Sequence, residues 1–189
     1  MSIKVFSYKN KKIKKILINN NYFDWLNVGD LNLIRIWRNN QKKILRQNKN
    51  INTKNQKNYF KNFYKQNCLK KKPQNILFAL KDKKLIGYGG LTNISWENRR
   101  AEVSFLLNTK ISKKKIYKFY FLKFLKIISK FSFRVLNLNK IYTETFTYRK
   151  AHIKLLEKSG FNKETSLISH YYKNNKFIHA IIHSKFRKY

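Results

Sequence analysis

The chain has 189 residues, of which 42% are hydrophobic and 16% aromatic, so it can bury the core of one domain. One cysteine, one proline and five glycines exclude a disulfide framework, a cysteine-rich zinc module and a collagen-like or low-complexity chain. The 44 lysines and arginines exceed the 8 acidic residues by 36, a net charge typical of proteins that bind nucleic acid or another polyanion.

The charge has a second explanation. Lysine, asparagine, isoleucine, phenylalanine and tyrosine are all abundant and all have A/T-rich codons, and the lysines are spread over the whole chain. We therefore favour codon bias as the source of the charge and keep nucleic acid as the alternative partner. Codon bias does not fully explain the scarcity of aspartate and glutamate.

The predicted N-terminal elements are a strand and two helices. Residues 1–12 are a candidate flexible extension of a single domain over 1–189. The β-branched segment 13–19 predicts the first strand. Asp30 is placed to cap a helix that begins at Leu31, and helical spacing continues to Leu45.

Further along, the sequence alternates between polar and aromatic stretches. After the polar residues 47–55, the spacing of Tyr59, Phe60, Phe63 and Tyr64 predicts a second short helix, and residues 68–73 a loop. Lysines beside Cys68 are expected to lower the pKa of its thiol.

The remaining pattern predicts most of a sheet. Segments 76–80, 85–94 and 100–107 form an antiparallel meander, and residues 113–136 form a long helix with an aromatic stripe and a basic face. We favour packing of that helix on the sheet over its lying on a membrane.

The C-terminal third completes the sheet. A strand over 140–146 precedes a helix over 151–158 that ends near Gly160, and a final hairpin pairs 167–172 with 177–183. The predicted fold class is α/β (α+β), a mixed, mainly antiparallel sheet with helices on both faces. Without an apolar signal segment or membrane span, we expect a cytoplasmic protein.

Four segments, in their order and spacing, resemble the GNAT superfamily of N-acetyltransferases. They are Ile36–Asn39, then Leu85–Leu91 leading into Ala101–Asn108, then Leu138–Tyr142, and finally Leu155–Phe161. The similarity extends from Leu31 to the C-terminus, and it is to the branch of ribosomal-protein N-terminal acetyltransferases and amino-sugar-nucleotide acetyltransferases.

The resemblance implies that acetyl-CoA is the acyl donor, with no metal, and that it lies in a split between the fourth and fifth strands. The pantetheine arm would pair with the fourth strand, at Val103, Ser104, Phe105, Leu106 and Leu107. The pyrophosphate would bind at the start of the long helix, at Ser112, Lys113, Lys114, Lys115, Ile116 and Tyr117. Arg149 and His152 correspond to a family asparagine and serine near the cofactor.

This chain departs from the family at the phosphate turn. The family sequence is usually Arg/Gln-x-x-Gly-x-Gly/Ala, whereas Lys115 and Tyr117 stand here where glycine and a small residue are expected. A tyrosine that often protonates the leaving thiolate corresponds to Leu156.

The candidate catalytic residues are Glu102 and Glu144, on the two strands expected to part around the cofactor. Either could accept the proton of the attacking amine, or could form an ordinary ion pair. The candidate acceptor-binding residues are Trp37, Arg38 and Asn39. His170, His179 and His183 do not form a metal-binding pattern and are interpreted as structural.

We therefore expect an N-acetyltransferase that transfers an acetyl group from acetyl-CoA to a primary amine by direct attack. The acceptor would be an amino-sugar nucleotide or a protein N-terminus. The alternative is a catalytically degenerate protein of the same fold that binds nucleic acid or another polyanion.

Overall fold

The computed structural model describes residues 23–111 and 114–188 of the chain. Its strands are Phe23–Trp25 (β1), Ile76–Asp82 (β2), Lys84–Ser95 (β3), Arg100–Leu107 (β4), Lys140–Phe146 (β5), Asn162–Lys173 (β6) and Lys176–Phe186 (β7). Its α-helices are Leu31–Asn40 (α1), Thr53–Asn58 (α2), Gln66–Leu69 (α3), Lys114–Lys130 (α4) and Lys150–Lys158 (α5). The predicted extension over 1–12 and strand over 13–19 lie outside the described residues.

The seven strands form one sheet in the order β1-β2-β3-β4-β5-β7-β6. Every neighbouring pair is antiparallel except β4 and β5, which are parallel. The predicted mixed, mainly antiparallel sheet is therefore confirmed. A parallel pair needs a long crossover, and α4 supplies it.

The alternation of side chains along β4 divides the core into two layers. Ala101, Val103 and Leu107 belong to a large cluster that includes the aromatic stripe of α4. Leu106 points to the opposite face, into a cluster with Ile34 of α1. Helices therefore cover both faces, as predicted. Within the described residues, no helix is long and apolar enough to cross a membrane.

The first helix differs from its prediction at both ends. The helix α1 does begin at Leu31, but the Asp30 side chain makes no capping bond to it. Asp30 instead closes a reciprocal pair with Asn27 around the 3₁₀ turn Val28–Asp30: each side chain accepts from the other residue's backbone N–H. The helix ends at Asn40, and a separate 3₁₀ turn, Lys42–Ile44, carries the apolar spacing onward.

The second helical segment is longer than predicted. It runs from Thr53 through a π-helix, Tyr59–Lys65, into α3, so Cys68 lies in a helix and not in a loop. Its side chain is buried, and burial raises the pKa of the thiol. The expectation of a lowered pKa is therefore wrong, because desolvation outweighs the hydrogen bond with Tyr64, which lowers the pKa. The long helix also ends in a π-helix, Phe131–Val135.

Two glycines have conformations that require them. A Cβ atom on Gly90 would lie 2.1 Å from the backbone oxygen of Ile76, so β2 and β3 could not approach this closely with another residue. Gly160 has a φ of 79° directly after the end of α5, where a left-handed residue stops the helix.

Candidate active site

The strands β4 and β5 separate part-way along their length. They pair in parallel register at Arg100–Lys140, Ala101–Ile141 and Glu102–Tyr142. Beyond Glu102 a cavity of about 90 Å³ opens between them, with Val103, Ser104 and Phe105 on one side and Thr143, Glu144 and Thr145 on the other. We call this cavity the cleft.

Two carboxylates meet one guanidinium at the narrow end of the cleft. Arg46 donates from Nη1 to Glu144 at 3.0 Å and from Nη2 to Glu102. Asn93 Nδ2 donates to the other Glu102 oxygen at 2.8 Å, and the Tyr171 hydroxyl donates to Glu144. Burial alone would lower the pKa of Arg46, but Glu102, Tyr171 and Glu144 raise it overall. The Arg46 guanidinium therefore spans the two separating strands.

The loop that carries Arg46 is held in place by a lysine from the far end of the sheet. Lys173, the last residue of β6, donates from Nζ to the backbone oxygens of Lys42, Leu45 and Gln47, at 2.6, 2.5 and 2.9 Å. Burial, followed by the charge of Lys42, lowers the pKa of Lys173. Three carbonyl oxygens thus satisfy all three ammonium protons, which fixes the loop over the cleft.

A second cavity, of about 400 Å³, lies on the α1 and α2 side of the sheet. We call it the acceptor cavity. Most of its lining is aliphatic or aromatic, with Arg38, Asn55, Gln56, Thr92 and Ser104 as the polar members. Ser104 also lines the cleft, so the two cavities meet at β4. Glu102 and Ser104 are two residues apart on the same strand and therefore face the same side of the sheet.

The three candidate acceptor residues of α1 have different surroundings. Trp37 is buried in the core between α1 and the sheet. Arg38 lines the acceptor cavity and donates to the Tyr88 hydroxyl at 2.7 Å and to Gln47 Oε1 at 3.0 Å. Asn39 holds the Ile51 backbone through two hydrogen bonds of 2.9 Å. Only Arg38 of the three reaches the cavity.

The wide end of the cleft brings together Tyr117, Arg149 and His152. The Tyr117 hydroxyl lies 2.7 Å from His152 Nδ1, and Arg149 Nη2 lies 3.4 Å from the same hydroxyl. Burial, with the charges of Arg149 and His183, lowers the pKa of His152 well below its usual value, while burial raises the pKa of Tyr117 to about 12. The imidazole is therefore neutral, and the direction of its hydrogen bond with the Tyr117 hydroxyl depends on which ring nitrogen carries the proton.

The remaining cofactor candidates divide between the strand and the turn after it. Leu106 and Leu107 are buried, and the Leu107 oxygen accepts from Gln41 Nε2 at 2.7 Å. Ser112 and Lys113 lie outside the described residues. Lys114 begins α4, and Lys115 and Ile116 are exposed in its first turn.

Sequence reasoning missed three residues near the site: Arg46, Lys173 and Thr143. The hydroxyl of Thr143 is buried at the cleft and has no hydrogen-bond partner among the described residues. Its cross-strand neighbour is His183, a fully buried histidine whose Nε2 lies 3.6 Å from Glu157. A polar residue on the inward face of β5, between the apolar Ile141 and the buried Phe146, was the available signal for Thr143. In the described part of the chain, no three histidine, cysteine or acidic side chains are grouped to hold a metal.

Two parallel strands that separate to form a cleft and are connected by one long helix are characteristic of an acetyltransferase fold. Comparison with known families agrees. Residues 23–182 match the family described as an acetyltransferase (GNAT) domain, so the chain belongs to the GNAT family. It is thus an acetyl-CoA-dependent N-acetyltransferase that transfers the acyl group to an amine, as the resemblance implied. The particular branch named above is not confirmed.

Solved structures show the same fold. Spermidine N-acetyltransferase from Vibrio cholerae, in complex with CoA and spermine, is 21% identical with a TM-score of 0.75, over 88% of this chain and 96% of that one. A dodecameric structure of that enzyme in an intermediate state is 22% identical with a TM-score of 0.69, over 88% and 95%. No curated protein matches the sequence.

Proposed function

We propose that the chain acetylates a single primary amine on an otherwise uncharged, largely apolar acceptor, and that a protein N-terminus is the best match among such amines. The observation that carries this proposal is the position of Glu102. It is the last β4 residue paired with β5, and it shares a face with Ser104, which lines both the cleft and the acceptor cavity.

The cleft fits the pantetheine arm of acetyl-CoA. Pairing between β4 and β5 ends at Glu102, and the cleft lies against the next three residues of β4, Val103–Phe105. A strand edge released in this way can hydrogen-bond the amide groups of an extended ligand. At the wide end, Arg149 and His152 would contact the ligand, with Arg149 supplying positive charge towards the phosphates.

Glu102 would act as the base that removes a proton from the incoming amine. Its side chain is only 5% exposed, while that of Arg46 is 41% exposed. The amine would enter through the acceptor cavity and approach the carboxylate on the face it shares with Ser104. The bonds from Asn93 and Arg46 orient the carboxylate, which is the condition for efficient proton transfer. Glu144, held by Arg46 and Tyr171, would have the weaker role.

The acceptor cavity supports an apolar acceptor over a polyamine. Its lining contains no aspartate or glutamate among the described residues, and its one charged member is the cation Arg38. A polyamine carries several ammonium groups, which need carboxylates or carbonyls to replace water. The net charge of +36 also repels a polycation at a distance. We therefore do not expect spermidine, the substrate named for the structural neighbours, to be the preferred acceptor of this chain.

The test is a competition among amine classes, followed through the free thiol of released CoA. The panel contains a peptide with an apolar first residue and a free N-terminus, the same peptide already acetylated, an amino-sugar nucleotide, and spermidine. We expect the free peptide to give the highest kcat/KM, roughly tenfold or more above spermidine, since one well-placed contact is worth about that factor. Faster turnover of spermidine or the sugar nucleotide would overturn the acceptor assignment.

A further inference from the structure

A basic groove lies where the second half of α4, the end of α5 and the last residues of β7 meet. Its volume is about 690 Å³. Its lining residues are Leu122, Lys126, Ser129, Lys130, Phe133, Arg134, Lys158, Ser159, Lys185, Phe186, Arg187 and Lys188. None of them lines the cleft or the acceptor cavity.

The charge of the groove exceeds what composition alone would place there. Seven of its twelve lining residues are lysine or arginine and none is acidic, whereas the whole chain has 44 lysines and arginines in 189 residues. Among the described residues, Lys126, Lys130 and Lys158 form no ion pair with a carboxylate. Burial, together with the charge of Lys188, lowers the pKa of Lys185, as expected where cations crowd together. An anionic ligand would relieve this repulsion.

The groove also has aromatic surface beside its cations. Phe133, in the π-helix that follows α4, lines the groove and is half-buried. It lies about one turn after Lys130 and two turns after Lys126, so the three side chains share one side of the helix. Aromatic surface and clustered cations therefore occur together in the groove.

We propose that the basic groove binds single-stranded nucleic acid. Such binding combines a positively charged track for the phosphates with aromatic side chains on which bases stack. Lys126 and Lys130 are one helical turn apart and present charge along α4, while Phe133 presents aromatic surface about one turn further along. The function is separate from acetyl transfer, since the groove shares no residue with the cleft.

The test measures binding of a fluorescent single-stranded oligonucleotide of about twelve nucleotides by anisotropy at several salt concentrations. The groove variant is Lys126→Gln, Lys130→Gln, Lys158→Gln. The matched control is Lys54→Gln, Lys57→Gln, Lys61→Gln, which removes three exposed lysines from the segment containing α2. We expect the groove variant to bind at least tenfold more weakly at low salt. Its slope of log affinity against log salt should fall by about 2, since each lost single-strand contact contributes about 0.7.

Stacking is tested separately with Phe133→Leu, which keeps every charge. Loss of one base–aromatic stack should weaken binding about fivefold or more with little change in the salt slope. Melting temperature and acetyl-CoA-dependent turnover are measured for each variant, and we expect both to stay close to those of the unaltered protein.

Three results would overturn the proposal. The first is equal weakening in the groove and control variants, which would assign binding to the overall charge. The second is the absence of measurable oligonucleotide binding by the unaltered protein. The third is groove-dependent binding to vesicles of anionic lipid without binding to the oligonucleotide.

Discussion

Glu102 and Glu144 contact the same guanidinium, yet their surroundings differ. Glu102 lines the cleft on the same side of β4 as Ser104 and its side chain is 5% exposed, whereas that of Glu144 is 12% exposed and is held by Tyr171 as well as Arg46. The ion pairs expected as the alternative role are present. They do not exclude catalysis, because in the proposed mechanism the substrate amine would approach Glu102 from the acceptor cavity, on the side of Ser104.

We predict that Glu102→Gln lowers kcat by about a hundredfold or more, the usual effect of losing one acid–base group, and that Glu144→Gln lowers it less. The measurement is CoA thiol release under saturating acetyl-CoA. Glu164→Gln is the control, since Glu164 pairs with Lys140 at 2.5 Å outside the cleft. Full activity of Glu102→Gln from roughly pH 6 to pH 9 would show that Glu102 is not the base.

His152 makes stability depend on pH in a direction that its lowered pKa determines. In the unfolded chain, histidine gains a proton near pH 6.5, while the folded protein keeps His152 neutral until a much lower pH. Below about pH 6.5 the unfolded state therefore binds one more proton, and the free energy of unfolding falls as the pH falls.

We predict that His152→Gln reduces this acid sensitivity. Below pH 6.5, the free energy of unfolding of the variant should fall less steeply than that of the unaltered protein. The difference is at most about 1.4 kcal/mol per pH unit, the value for linkage to one proton. Urea unfolding between roughly pH 7.5 and pH 5.5 measures it. The same experiment on His170→Gln, an exposed histidine of β6, tests whether any histidine would have this effect. Parallel curves for His152→Gln and the unaltered protein would contradict the prediction.

At the scale of elements, the first turn of α4 lacks the glycines that are usual at the phosphate turn of the family it resembles. Lysines at a helix N-terminus face the positive end of the helix dipole, which is unfavourable without an anion nearby. We propose that the ammonium groups of residues 113–115 replace part of the backbone contact that the family's glycines make with the phosphates of CoA. The alternative is a solvated turn.

We predict that Lys113→Gln, Lys114→Gln, Lys115→Gln weakens acetyl-CoA binding about tenfold at low salt and much less at high salt, because salt screens exposed ammonium–phosphate contacts within about 10 Å. Calorimetric titration at two salt concentrations measures this difference. The triple variant of Lys54, Lys57 and Lys61 removes the same charge elsewhere. If the unaltered protein and the triple variant bind acetyl-CoA with equal affinity at low salt, these lysines do not contact the cofactor.

Helix and strand predictions succeeded where the local pattern was regular. The strands β4 and β5 have the predicted bounds, since alternation and short connections restrict their register. The prediction was wrong for the end of α1, where apolar spacing continues through Gln41 into a 3₁₀ turn. It also missed both π-helices, because one extra residue in a turn leaves an apolar stripe that still looks helical.

At the scale of the whole molecule, the charge of +36 acts differently in different places. Around the acceptor cavity it disfavours polycations, and at the basic groove it concentrates seven cations without a carboxylate in the lining. Codon bias is the interpretation we favour for the abundance of lysine along the chain, but the arrangement of lysines in space is a property of the fold. Composition could therefore suggest a polyanion partner without indicating where it binds.

The sequence by itself determined the order of the elements from α1 onward, the mixed sheet and the family, because hydrophobic periodicity and short motifs act between residues close in the chain. The short strand β1, Phe23–Trp25, was not predicted. The sequence also placed Glu102 and Glu144 on the two strands that part. Only the tertiary structure decided that Arg46 joins them, across separations of 56 and 98 residues, and that Lys173 holds the Arg46 loop from more than 120 residues away. It likewise decided the burial of His152 and the assembly of the groove from three elements. Contacts of this kind depend on how elements pack, and no local pattern encodes them.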